Sequence, residues 1–153
     1  MPGWPDDAPG VVVLPDGRRV RAAPLHAPRA ELPEPQLHLV LLGREPDPLP
    51  WPVHWVRWPD FRSPADTATT LAALREAHAH ALTERVEVSC RGGVGRTGTA
   101  LAALAVLSGL PPGEAVAWVR EHHHPRAVET PLQRRWLRQV AARLGPGLSP
   151  PGR

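Results

Sequence analysis

The stretch Val86-Glu87-Val88-Ser89-Cys90-Arg91-Gly92-Gly93-Val94-Gly95-Arg96-Thr97-Gly98-Thr99 joins three local patterns. A short β-prone run ends at Cys90, the chain's only cysteine, and Gly92, Gly93 and Gly95 follow it at once. An Ala/Leu-rich segment with helical spacing then begins near Thr97, so the stretch predicts a strand, a tight loop and a helix N-terminus. Glycines let successive backbone N–H groups turn inward as an anion nest, and the helix behind them adds the positive end of its dipole. A dianion suits such a loop. The same field, reinforced by the fixed cation of Arg96, favours the thiolate form of Cys90, which is the nucleophilic one.

Cysteine, five residues, then Arg96-Thr97 resembles the signature loop of the protein tyrosine phosphatase superfamily. Upstream, Trp58-Pro59-Asp60 looks like the mobile general-acid loop of the same family, and the resemblance extends in outline from Gln36 to Leu144. It implies a single α/β domain whose mostly parallel or mixed sheet of about four to five strands is flanked by helices. It also implies a small dual-specificity-like phosphatase, a phosphomonoester hydrolase that works through a cysteinyl-phosphate without cofactor or metal. Cys90 would be the nucleophile, while the loop residues Arg91, Gly92, Gly93, Val94 and Gly95 and the side chain of Arg96 would hold the phosphoryl oxygens. Asp60 would be the general acid, and Thr97 would hydrogen-bond the thiolate. Glu129-Thr130-Pro131-Leu132-Gln133 resembles the glutamine-bearing loop of the family, which makes Gln133 the residue that positions the hydrolytic water. One position departs from the pattern: the family usually has histidine before the cysteine, and here it is Ser89.

A chain of 153 residues matches one domain with a real core. Its 21 prolines and 13 glycines gather mainly at 2–35, 46–64 and 146–152, and leave the periodic segments between them clean. Residues 1–10 read as a flexible lead, 11–145 as the phosphatase domain and 146–153 as a flexible tail. All 18 basic residues are arginine, and the net charge of +3 suits anionic substrates without the clustered basic face of a nucleic-acid binder. A lone cysteine excludes an intramolecular disulfide, and neither a signal peptide nor an apolar stretch of membrane-spanning length is visible. The expectation is therefore a cytoplasmic monomer acting on a phosphorylated protein or other phosphomonoester, away from nucleic acid and membrane.

Along the chain, Val11–Leu14 and Arg18–Arg21 flank Pro15-Asp16-Gly17, a hairpin signal. Residues 24–35 form a proline-rich connector, and Gln36–Leu42 is nearly all apolar, as in a strand buried on both faces. Val53–Arg57 predicts the strand that leads into Trp58. A helix from Ser63 (N-cap) and Pro64 to about Thr83 follows, with Leu71, Leu74 and Ala81 in its apolar stripe. Helices are expected over 97–109, from 111–114 to about His122, and from about Thr130 to Leu144. Strand 53–57, helix and strand 86–89 form a β-α-β unit, so the Asp60 and Cys90 loops leave the same sheet edge and can face one ligand.

Other readings compete at several positions. Asp66 rivals Asp60 as the acid, although it also suits the first turn of a helix. Three successive histidines, His122–His124, cannot share one helical face for a metal and suit a C-terminal cap instead. Arg126 could contact substrate phosphate or stand in solvent. A catalytically weak phosphoprotein-binding module is the alternative that Ser89 motivates, but binding alone needs neither the nucleophile nor the acid. A thiol-dependent arsenate reductase would call for further cysteines.

Overall fold

The computed structural model describes residues 3–29 and 31–144. Five strands, β1 (Val11–Val13), β2 (Arg19–Ala22), β3 (Leu37–Leu42), β4 (Val53–Arg57) and β5 (Val86–Ser89), form one sheet in the order β1-β2-β5-β3-β4. β1 and β2 are the predicted antiparallel hairpin, and β2, β5, β3 and β4 run parallel to one another. β4 and β5 are joined by α1 (Thr67–His80) and lie two places apart in the sheet, with β3 between them. All four parallel strands therefore end at the same edge.

Val86 and Val88 face the helices together with Leu39, Leu41, Val20 and Val56. Over them lies α2 (Gly95–Leu107), whose residues are buried from Gly95 to Val106 and which packs against α1, α3 (Ala115–His122) and α4 (Pro131–Leu144). A short 3-10 turn, Pro112–Glu114, leads into α3. Alanines at 100, 102, 103 and 105 let α2 sit close to its neighbours, and Gly109, with φ of +107°, follows its end.

The opposite face carries a charged layer. Period-two alternation places Glu87 and Ser89 there, and β2 and β3 add Arg21 and His38. Glu87 Oε2 receives Arg21 at 3.0 Å and Arg29 at 2.6 Å, with Glu87 and Arg21 buried. The Arg29 guanidinium lies 4.7 Å over the Trp51 ring, and Trp4 Nε1 donates to the Val86 carbonyl. Arg29, Trp51 and Trp4 thus cover this face from segments outside the helices.

Three boundaries differ from the sequence reading. Residues 3–10, read as a flexible lead, are docked: Trp4 is buried and Arg21 Nε donates to the Pro9 carbonyl. Helix α1 starts at Thr67 rather than Pro64, because Asp66 accepts from the Thr69 N–H at 3.0 Å and takes the N-cap role assigned to Ser63. Helix α2 starts at Gly95, two residues early, since its first turn grows directly out of the loop. The expected tail, 146–153, lies outside the described residues.

Candidate active site

Each parallel strand contributes one wall at the shared edge. Leu25 and His26 follow β2, Arg44 and Leu49 follow β3, Asp60 follows β4, and Arg91 and Arg96 follow β5; together they border a cleft of about 440 Å³. Cys90, which immediately precedes the lining residue Arg91, is itself only 2% exposed. Its Sγ receives two hydrogen bonds, from Thr97 Oγ1 at 3.0 Å and from the Gly93 N–H at 3.2 Å. Both donors stabilise negative charge on sulfur.

The backbone N–H groups of Arg91, Gly92, Val94, Gly95 and Arg96 make no hydrogen bond among the described residues. Val94 precedes α2 without a side-chain cap, so the helix presents its N-terminal N–H groups openly to the loop. Gly93 takes φ of +73°, and a Cβ there would stand 2.7 Å from the Pro24 nitrogen. Only glycine suits both demands. At Gly98 a Cβ would stand 2.5 Å from the Ala127 Cβ, so glycine lets segment 127–129 approach α2 closely.

Arg96 is 4% exposed, and its Nη1 donates to the Trp58 carbonyl at 3.0 Å. Its Nε is buried without a hydrogen-bond partner, 3.5 Å from Asp60 Oδ1. Anchoring through Nη1 leaves the Nε edge of the guanidinium for a ligand. The Asp60 and Cys90 loops therefore meet through Arg96. Trp58 is wholly buried, packs against Trp136 with ring centroids 5.3 Å apart and the planes tilted by 57°, and donates from Nε1 to the Arg62 carbonyl, which anchors the Asp60 loop at its start. Asp60 itself is half exposed, and its Oδ1 accepts from the Phe61 N–H.

Gln133 is completely buried in a capping box. Its Oε1 accepts from the N–H groups of Glu129 at 2.9 Å and Thr130 at 3.3 Å, while its own N–H donates to Thr130 Oγ1. Its Nε2 is buried without a partner. Glu129, which the sequence reading did not single out, sets its carboxylate against Gly95, where any side chain would collide with it. Val128 holds φ of +61°, costly for a β-branched residue, and Arg120 bonds the carbonyls of both Ala127 and Val128 to keep this turn in place.

The three histidines separate as their helical spacing requires. His122 bonds the Trp118 carbonyl and His124 accepts from the Arg126 N–H, whereas His123 Nε2 donates to the Gly93 carbonyl at 2.8 Å and braces the Cys90 loop from α3. Burial holds the His123 pKa below its ordinary value, so the ring is neutral near pH 7. Arg126 is exposed and lies outside the lining of the cleft. Among the described residues no group of three His, Cys, Asp or Glu side chains is placed to hold a metal. His38, which the sequence reading absorbed into an apolar strand, is buried beneath the loop and bonds Ser89.

The model of the protein-tyrosine phosphatase family matches residues 39–142. The structure is similar to the crystal structure of Tk-PTP in the active form, with a TM-score of 0.69 and 29% identity over 88% of this chain and 98% of that one. It is also similar to PTPN18 in complex with HER2-pY1196 phosphopeptides, with a TM-score of 0.50 and 27% identity over 60% of this chain and 35% of that one. No curated protein matches. With this family match over most of its length and the cysteine loop built at the edge of the sheet, the chain belongs to the protein tyrosine phosphatase family and is a cysteine-dependent phosphatase.

Proposed function

We propose that this phosphatase removes phosphate from phosphorylated proteins, phosphotyrosine foremost, with Cys90 as nucleophile and Asp60 as acid and base. The observation that carries the reading is the double hydrogen bond onto Cys90 Sγ within a ring of unpartnered N–H groups and the free edge of Arg96. In the first step the thiolate attacks phosphorus, the bond to the leaving oxygen breaks, and Asp60 delivers its proton to that oxygen. The phosphoryl oxygens rest on the N–H groups of 91–96 and on Arg96. In the second step Asp60 takes a proton from water, the water oxygen attacks phosphorus, and the sulfur departs as a thiolate stabilised by Thr97. Gln133 holds the 129–130 turn through its carbonyl, and its unpaired Nε2 is the donor available to orient the water.

The order of acid loop before cysteine loop supports a dual-specificity-like type, and PTPN18, a structural neighbour, is described with phosphopeptides. A nucleophilic thiol without a second cysteine suits a reducing compartment such as the cytoplasm. No helix among the described residues is long and apolar enough to cross a membrane. Turnover of para-nitrophenyl phosphate by wild type and Cys90→Ser tests the assignment. The variant is expected to lose turnover while still binding vanadate, and chelators are expected to change nothing. Undiminished turnover in Cys90→Ser would overturn the nucleophile.

A further inference from the structure

Behind the reactive loop, a chain of hydrogen bonds runs through the charged face of the sheet and ends one residue before Cys90. Trp51 Nε1 donates to His38 Nδ1 at 3.0 Å, and His38 Nε2 stands 2.8 Å from Ser89 Oγ. With Nδ1 occupied as an acceptor, a neutral ring carries its proton on Nε2 and donates it to Ser89. Burial favours that neutral ring, lowering the His38 pKa to about 4 against the opposing pull of Glu87. Glu87 Oε2, which holds Arg21 and Arg29, stands 3.7 Å from His38 Nε2, beyond hydrogen-bond distance. His38 Nε2 therefore spends its proton on Ser89.

We propose that His38 is a positioning residue for Cys90, acting through Ser89. The Trp51 and His38 donors lie in series and end on Ser89, whose side chain is on the face opposite the Cys90 sulfur, so the chain acts on the thiolate by holding the backbone from which Cys90 meets its Thr97 and Gly93 donors. The same bond ties β3 to the last residue of β5, from which the loop departs, so it also sets the angle at which Cys90 enters the cleft. This inference rests on Cys90 being the nucleophile, but its readout is the thiol itself.

The experiment follows iodoacetamide alkylation of Cys90 against pH, using the full chain and intact mass. Ser89→Ala and His38→Leu are each expected to raise the midpoint by ~1 pH unit, a tenfold loss of thiolate below the midpoint. His38→Gln, whose amide nitrogen can reproduce the Nε2 donor, is expected to keep the wild-type midpoint. For para-nitrophenyl phosphate near pH 6, kcat falls in the first two variants and KM holds. Glu87, Arg21 and Arg29 face the same ring and stay unchanged throughout, so their field is common to all the variants. Unmoved midpoints in folded Ser89→Ala and His38→Leu overturn the inference while leaving the phosphatase reading intact. If His38→Leu does not fold, Ser89→Ala decides alone. A wild-type chain that turns over no phosphomonoester overturns the phosphatase reading instead.

Discussion

Asp60 stands half exposed at the mouth of the cleft beside Arg96, whereas Asp66 closes the first turn of α1 by accepting from the Thr69 N–H. Two carboxylates six residues apart thus have separable effects. Asp60→Asn is expected to lower kcat by ~10²–10⁴ with phosphotyrosine and to remove the alkaline limb of the kcat profile. Asp66→Ala is expected to leave kcat alone and to cost about 1 kcal/mol of stability, as the loss of an N-cap does. Steady-state kinetics and urea melts on both variants check this, and a larger kinetic loss in the Asp66 variant would move the acid loop. From sequence the two were hard to separate, because Ser63-Pro64 and Asp66 both spell a helix start. The bond to Thr69 shows that Asp66 is the residue that caps α1.

Among the elements, α4 is joined to the Asp60 loop through the residue just before the helix. Thr130 Oγ1 accepts from the Gln133 N–H within the capping box and donates to the Phe61 carbonyl at 2.9 Å, so one hydroxyl joins the helix to the Asp60 loop, the proposed acid loop. Thr130→Val keeps the shape and removes both bonds. It is expected to destabilise the fold by about 1–2 kcal/mol and to slow esters with poor leaving groups more than para-nitrophenyl phosphate, because the acid loop loses its tether. A Brønsted plot over aryl phosphates measures that slope, and an unchanged slope would separate Thr130 from the acid loop. The elements themselves were largely readable. Strands 53–57 and 86–89 carry strong β propensity between clear breaks, and Gly109 closes α2 as expected of a C-terminal glycine. His38 was not readable, since one polar residue in Leu37–Leu42 does not disturb an apolar run; its partners, Ser89 and Trp51, are distant in sequence. The docking of Trp4 against β5 escaped for the same reason: it is a long-range contact made by a segment rich in turn residues.

At the scale of the molecule, the sheet has an oily face and an ionic one, and the ionic one makes stability depend on pH. His38 binds fewer protons folded than unfolded between its lowered pKa of about 4 and the ordinary 6.5. Stability from this group is complete above pH 6.5 and is lost as pH falls toward 4, by up to about 3 kcal/mol. His123 and His78, also held below their ordinary pKa by burial, act in the same direction. Melting temperatures at pH 7 and pH 4.5 check this: His38→Gln is expected to show the smaller acid-induced drop, and equal drops would mean that His38 stays solvated. The single buried cysteine has a different consequence, in redox chemistry. Peroxide converts the thiolate to a sulfenic acid with release of hydroxide, and no second thiol exists in the chain to capture it. The exit within the chain that stays reversible is condensation with a neighbouring backbone nitrogen, which expels water and leaves a sulfur–nitrogen bond that an added thiol can reopen. Limited peroxide is therefore expected to produce a mass two hydrogens lighter, located at Cys90, prevented by phosphate and reversed by dithiothreitol. A stable dioxidised sulfur under the same conditions would show that the buried loop offers its oxidised cysteine no such refuge.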